Sequence, residues 1–529
     1  MENQRVFLYT GLAFLLFLVW QQWQVDYVLP KPEPEAIQVV EQGVSVDGTV
    51  GNTAATGDTI SVSTDVISAE ISLNGGEISK LSLADYSVSL EKQDEQFVLL
   101  DRSADLYNVA QSGLQGTGVG LPDHRATYSA EQTSYTLDGD QLVVPMTWQQ
   151  DGVTVTKSLT FTKGSYQVEV NYAIERAPAG SEGRYYAQIQ RTQGESTGGL
   201  GQVYSYTGGV YSYSEERYNK YDFGDMADSD LKMDNIKGGW VAMIQHYFAA
   251  AVIPPQDDTH RFYSTTANEG RIFSLGIQSA KEAVGADGTL TLSHKYYIGP
   301  KIQEKLDEAA PFLRLTVDFG WLSFVAEILF SVLKFFHQYV GNWGWSIILL
   351  TLLIKLIFFP LSKMSYTSMA KMKQLTPKIQ AIREQYSDDQ AKMGQETMNL
   401  YRKEKVNPLG GCIPILLQFP VFIALYWMLA ESVELRQAPW IGWIQDLSIK
   451  DPWFILPVIY MVTMFIQQRL NPPPADPIQQ KIFQWMPVMF GVFFMFFPAG
   501  LVLYWVVNNT LTIAQQWTIM RNLEKKGLK

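Results

Sequence analysis

Residues 345–363, WSIILLTLLIKLIFFPLSK, decide how the chain is read. Between Ser346 and Phe359 the only charged residue is Lys355, and the run ends at Pro360 and Lys363. At 1.5 Å per residue, Trp345 to Pro360 spans about 22 Å, which places Lys355 about 7 Å inside one end of a bilayer core. An amine at such a depth costs about 2.5–3.5 kcal/mol on insertion scales and is retained where it faces a wet cavity or serves a function. Either the four-carbon stem snorkels to the headgroups, or the ammonium belongs to a polar recess. Thr351, one turn earlier on the same face, favours the recess.

Five other apolar runs flank this one: Val6–Trp20 before it, and Cys412–Ala430, Trp453–Gln467, Ile482–Phe497 and Leu501–Thr518 after it. Val6–Trp20 follows Arg5, and Gln21–Asp26 lacks the small residues a signal peptidase needs, so it reads as an uncleaved anchor. Lys363–Lys405 holds nine Lys and Arg, whereas Ser432–Pro452 holds only Arg436 and Lys450. Positive loops stay in the cytoplasm, which predicts six spans with both termini inside and residues 26–320 outside. The tail residues Arg521, Lys525, Lys526 and Lys529 agree.

A signal-anchor helix over 1–25 and a flexible tether over 26–59 are expected to lead into a β-sandwich over 60–319 and an amphipathic interfacial helix over 320–339. Transmembrane helices cover 340–362, 412–431, 453–468, 482–498 and 499–519. Between them lie a basic helical hairpin over 363–411, an outer loop over 432–452 and a cytoplasmic loop over 469–481, and a basic tail over 520–529 closes the chain. The fold class is thus a polytopic α-helical membrane protein carrying a large all-β sandwich. Charge follows the same split: residues 26–320 are net −19 and the remainder net +7, giving the overall −12 of the 529-residue chain. The single cysteine, Cys412, leaves the outer domain no disulfide, so its core alone must hold it.

Within the outer domain, ISAEISL, Gly75-Gly76 and ISKLSL predict one hairpin. QLVVPMTW, the turn Asp151-Gly152, VTVTKSLTF, the turn Lys163-Gly164 and YQVEVNYAI predict a meander. The aromatic residues around Tyr204–Tyr221 read either as packing at core and edge or as a ligand platform. His124, His246, His260 and His294 are scattered, and no nucleophile or metal constellation forms. The sequence therefore predicts no catalytic residue, metal or cofactor.

The 363–411 segment predicts two antiparallel helices: one begins at Thr376-Pro377 and ends near Tyr386, and the other begins at Asp388 or Asp389 and ends at Asn407-Pro408. Its length and charge exceed what a connector needs. Inside the later spans Gln418 and Thr463 are polar, and Tyr504, Asn508, Thr512 and Gln515/Gln516 form a stripe at helical spacing. With Thr351 and Lys355 they suggest a hydrated recess entered from the cytoplasm. Ile482–Phe497 is dense in Met and Phe, an adaptable surface for apolar partners or simply for lipid. The Pro498-Ala499-Gly500 break predicts a tight hairpin of the last two spans.

NPLGGCIPILLQFPVFIALYWML, ESVELRQAPWIGWIQDLSIKDPWFILP and FPAGLVLYWVVNN resemble the YidC/Oxa/Alb family of membrane protein insertases, of the Gram-negative type with a large periplasmic domain. The resemblance covers the whole chain, KGGWVAMIQHYF at Lys237–Phe248 included. It implies a five-helix core around a hydrophilic groove, with Lys355 where the family typically has arginine, Thr351 at its groove threonine, and Tyr504-Trp505 where the pair is often Tyr-Tyr. Lysine keeps the charge and loses the bidentate fork. The implied groove residues are Lys355, Thr351, Gln418, Tyr504, Trp505 and Asn508. Phe419, Phe422, Met486, Phe490 and Phe493 form an apolar slide on the third and fifth spans, and Lys378, Arg383, Lys392, Arg402 and Lys403 form a docking surface on the hairpin.

The implied activity is non-covalent: a membrane protein and its polar tail cross through the groove while an apolar segment moves along the slide into lipid. Expected partners are nascent inner-membrane proteins, the Sec translocon, a ribosome or targeting factor at the cytoplasmic face, and the lipid bilayer of the bacterial inner membrane, with no specific nucleic acid sequence. A secondary transporter would need paired repeats, which the later spans lack. A membrane-anchored glycan-binding or mutarotase-like protein would suit the sandwich and leave Lys355 unexplained.

Overall fold

A computed structural model describes residues 42–44, 50–52, 59–103, 107–194, 205–268, 270–386, 389–404, 413–470 and 477–525. The expected anchor over 1–25, Cys412, Asn407-Pro408, most of the 26–59 segment and residues 471–476 lie outside these residues. The described chain divides into two compact units, one of β-sheet ending at Val317 and one of helix beginning at Asp318.

The β unit is a sandwich of an eight-stranded and an eleven-stranded sheet. Alternation builds the strands of its meander, while central strands such as Phe248–Ile253 are buried throughout. In Val153–Thr162 the residues Val153, Val155, Lys157, Leu159 and Phe161 are buried, and this strand pairs antiparallel with Gln141–Gln150 and Gln167–Glu175, the predicted meander. Asp151 and Gly152 both take positive φ (53° and 83°), as a tight hairpin turn of this twist requires. Tyr172 on the eight-stranded sheet donates to Ser112 Oγ on the other at 2.9 Å, and Tyr296 donates to the Gln111 carbonyl at 2.7 Å, so hydroxyls tie the two layers. Alternation also turns Lys157 inward, where its amine donates to the carbonyls of Gly75 (2.9 Å) and Ser112 (3.2 Å). Tyr211 lies near Tyr213 and Tyr221, and Tyr206 donates to the Gly209 carbonyl, around strand Gly208–Ser212 and the edge strand Asn219–Tyr221. Within the stretch read as a tether, Gln42–Val44 pairs with Val50–Asn52.

The helical unit contains α1 (Ser323–Val340), α2 (Trp343–Ile357), α3 (Phe359–Gln385), α4 (Gln390–Lys403), α5 (Ile413–Glu431), α6 (Ile455–Leu470), α7 (Pro477–Phe494) and α8 (Ala499–Lys525). Helix α1 buries Ala326, Leu329, Phe330 and Leu333 and turns Phe324, Ile328, Phe335 and Tyr339 outward, so its outer face is also apolar. Asn342 caps α2 by accepting from the Trp345 amide at 3.1 Å. Helix α6 packs against both α7 and α8.

Two readings need correction. The Lys355 helix does not run on to Pro360: it stops at Ile357, and α3 leaves it at 63°. Proline has no N–H and sits without cost in the first turn of a helix, so Pro360 starts α3 instead of ending α2. Conversely, Thr376-Pro377 starts nothing, because α3 continues through it to Gln385. The good helix formers on both sides outweigh a single lost hydrogen bond. Asp389 does cap α4, accepting from the Lys392 amide at 3.0 Å.

Among the described residues, Gly320–Val340 is long and apolar enough to cross a membrane alone, and the bent pair of α2 with the first half of α3 passes the same test together. Helix α6 is apolar and shorter.

Candidate functional site

Lys355 lies on α2 two residues before its end, and only 7% of it is exposed. Its amine donates to Thr512 Oγ1 on α8 at 2.8 Å, and Thr512 in turn donates to the Asn508 carbonyl one turn earlier at 2.7 Å. Asn508 Oδ1 accepts from Gln418 Nε2 on α5 at 3.0 Å, and Gln515 Nε2 donates back to the Lys355 carbonyl at 3.3 Å. One chain of hydrogen bonds thus joins three helices, because α8 repeats polar residues every three or four positions and presents them along a single side. Among the described residues no carboxylate pairs with Lys355. Burying an amine with neutral partners alone leaves its charge uncompensated, which is costly for a merely structural contact and suits a group awaiting an anion.

Of the six groove residues, the structure joins Lys355, Gln418 and Asn508 in this network, and Tyr504 is buried one turn before Asn508 on α8. Thr351 is buried but turns back on its own helix, donating to the Ile347 carbonyl at 2.7 Å. Trp505 packs between Phe422 of α5 (4.7 Å), Phe494 of α7 (5.7 Å) and Tyr460 of α6 (6.2 Å), and its buried indole N–H has no acceptor among the described residues. Thr512 touches the amine directly and belongs in the site. Its signal was the spacing of four from Asn508.

Phe419 and Phe493 of the expected slide are exposed, while Phe422, Met486 and Phe490 are half-buried. Phe490 and Phe493 lean on Phe494, so α7 offers a continuous aromatic surface that reaches Trp505. On the hairpin, Lys378 pairs with Glu404 at 2.6 Å across α3 and α4, and Lys392 sits 5.3 Å over the Tyr386 ring. Arg402 and Lys403 are exposed in the last turn of α4. The Arg383 side chain lies outside the described residues. Among those residues no group of His, Cys, Asp and Glu is placed to hold a metal.

Sequence comparison covers both units. The model of the 60Kd inner membrane protein family matches residues 335–526, and that of the YidC periplasmic domain matches residues 59–332. A relative from Nitrosococcus oceani named membrane protein insertase YidC is 46% identical over 100% of both chains. Relatives of the same name from Histophilus somni and Methylococcus capsulatus are 46% and 47% identical, over 100% and 99% of this chain and 99% of each of theirs. Among solved structures, an active YidC insertase with its first transmembrane domain resolved aligns over 87% of this chain and 92% of its own, at 18% identity and a TM-score of 0.39. A galactose mutarotase related enzyme from Lactobacillus acidophilus aligns over 45% of this chain and 97% of its own, at 9% identity and a TM-score of 0.32. Identity near one half, sustained from the β unit through the helices, leaves one conclusion: the chain belongs to the YidC family of membrane protein insertases.

Proposed function

We propose that this insertase works through the recess around Lys355, which receives the hydrophilic tail of a membrane protein while the protein's apolar segment moves past Phe419, Phe422, Met486, Phe490 and Phe493 into lipid. The observation that carries the reading is the buried Lys355 amine, held by Thr512 and facing no carboxylate among the described residues. A tail carboxylate at about 4 Å would gain about 4 kcal/mol at an effective dielectric of about 20, before desolvation, enough to change an insertion rate by orders of magnitude. Partitioning of the apolar segment drives the step, and the recess lowers the barrier for the tail.

The remainder of the scheme belongs to the same proposal: six spans in the bacterial inner membrane, termini in the cytoplasm, the sandwich in the periplasm. The basic hairpin would dock a ribosome or targeting factor, and the membrane helices would associate with the Sec translocon. The rival reading, an anchored glycan-binding protein, is not favoured, because a single family spans the β unit and the helices together.

The test compares paired substrates, one with acidic residues in its exported tail and one with those acids changed to amides. Lys355→Arg should keep insertion of the acidic substrate, Lys355→Ala should lose most of it, and Lys355→Glu should be worse. Equal insertion of both substrates by Lys355→Ala and the parent protein would remove the proposal.

A further inference from the structure

The 432–452 loop between α5 and α6 is built as a fixed part and not as a slack connector. It folds on itself through Trp440 N–H to Ile444 (3.0 Å) and Leu447 N–H to Ala438 (3.0 Å), and it buries Val433, Leu435, Ile444 and Leu447. Two other elements clamp it. The α7–α8 turn donates from Ala499 to Ile449 (2.7 Å) and from Gly500 to Leu447 (2.9 Å), and the α2 cap Asn342 donates to the carbonyls of Pro439 and Trp440. Gly344 lets Trp440 sit against α2, since a Cβ there would lie 2.2 Å from the indole.

One carboxylate fastens the end of this loop. Asp451 is 1% exposed; its Oδ1 accepts from Trp443 Nε1 and from the Trp453 amide, both at 3.0 Å, and its Oδ2 accepts from the Leu456 amide at 2.8 Å. Two of these donors belong to the entrance of α6, where a negative charge also meets the positive end of the helix dipole. The third is the loop's own tryptophan, whose ring stacks on Trp453 at 6.0 Å. Phe454 is held at φ 54°, a left-handed conformation unfavourable for a bulky residue, with its amide on the Asp451 carbonyl. A strained backbone beside a three-bonded buried carboxylate marks a point the fold fixes deliberately.

The loop and Lys355 sit at opposite ends of the polar stripe. Along α8, Gly500 under the loop and Thr512 at the amine are about 18 Å apart, and along α2 Asn342 and Lys355 are about 20 Å apart. We propose that Asp451 is the positioning residue that latches the loop across the end of the recess remote from Lys355, and so keeps the recess from conducting ions. This inference rests on the recess reading, but its measurement needs no substrate, so the two fail independently.

The test is passive proton entry into liposomes containing the full chain in a Cys412→Ser background, with a trapped pH-sensitive dye and a potassium diffusion potential. Asp451→Asn turns an amide donor toward donors, and Asp451→Ala removes all three bonds. Losing even one bond to a charged acceptor raises the unlatched population roughly tenfold or more, and the leak should rise with it. Lys450 and Pro498 face each other in an antiparallel bridge. Oxidised Lys450→Cys/Pro498→Cys should therefore restore a tight vesicle in the Asp451→Asn protein. Trp443→Phe, which removes one donor and keeps a ring to stack, gives a smaller leak and serves if the Asp451 variants do not fold. Folded variants as tight as the parent, or a leak that persists through the cross-link, would overturn the proposal.

Discussion

Lys157 gives the sharpest quantitative expectation. It is fully buried in the sandwich, and burial pushes its pKa down from 10.5 to about 7, with the Glu77 charge opposing the drop. Each tenfold change in proton affinity is worth about 1.4 kcal/mol, so charging this amine in the folded state costs on the order of 5 kcal/mol more than in the unfolded chain. Below pH 7 both states are protonated and the full penalty applies. Between pH 7 and 10.5 the unfolded chain binds a proton that the folded one lacks, so stability rises with pH, by about 3 kcal/mol from pH 7 to 9.5. Lys157→Met should abolish this particular slope. It also strands the carbonyls of Gly75 and Ser112, at about 1–3 kcal/mol each, which displaces the whole curve and leaves its slope alone. The assay is urea unfolding of the β unit at pH 6.5, 8 and 9.5, followed by fluorescence of the buried Trp240. The parent's stability relative to Lys157→Met should improve by about 3 kcal/mol across that range. Parallel pH profiles for the two proteins would refute the reasoning.

Replacing Pro377–Lys405 by a Gly/Ser link should abolish insertion while the protein stays folded in the membrane; crosslinking to ribosomes should fall with it, and undiminished insertion would dismiss the hairpin as a docking element. Deleting most of Asp65–Ala280 should leave much of the insertion activity, scored by substrate protease protection at matched protein levels. Gly344→Ala forces a methyl into the Trp440 ring and should destabilise the helical unit by about 1–3 kcal/mol, seen as a lower melting temperature in detergent.

Strands and turns of the sandwich were legible because alternation and left-handed Gly positions are local signals: Val153–Thr162 and Asp151-Gly152 need no distant information. The same alternation carried Lys157 inward, although nothing local says what receives it. Lys355 was legible as a buried charge, since hydropathy exposes it at once. Its partner was half legible: the α8 stripe was plain, but choosing Thr512 over Asn508 as the group on the amine depends on how α2 and α8 are rotated against each other. Thr351 satisfies its hydroxyl on its own backbone, and sequence cannot distinguish such a bond from a hydroxyl free to face a cavity. Pro360 and Pro377 were both read as helix boundaries, yet one opens a helix and the other rides inside one. The 432–452 loop gave no periodic pattern, since it is held by pairs of hydrogen bonds from two distant segments, Asn342 and Ala499-Gly500.

The bend at Phe358 has a mechanical meaning. From there α3 extends for 27 residues, about 40 Å, to the tip of the hairpin, with Pro377 inside its last third, and its fulcrum lies three residues beyond Lys355. A sideways load on a straight continuation would bend the helix without turning it about its own axis. Because α3 leaves at 63°, the same load turns the foot of α2 about its axis: a displacement of about 4 Å at Gln385 over about 40 Å corresponds to a rotation of about 6°. A partner leaning on the hairpin would thereby twist the foot of the helix that holds the amine, with no need to touch the membrane helices themselves.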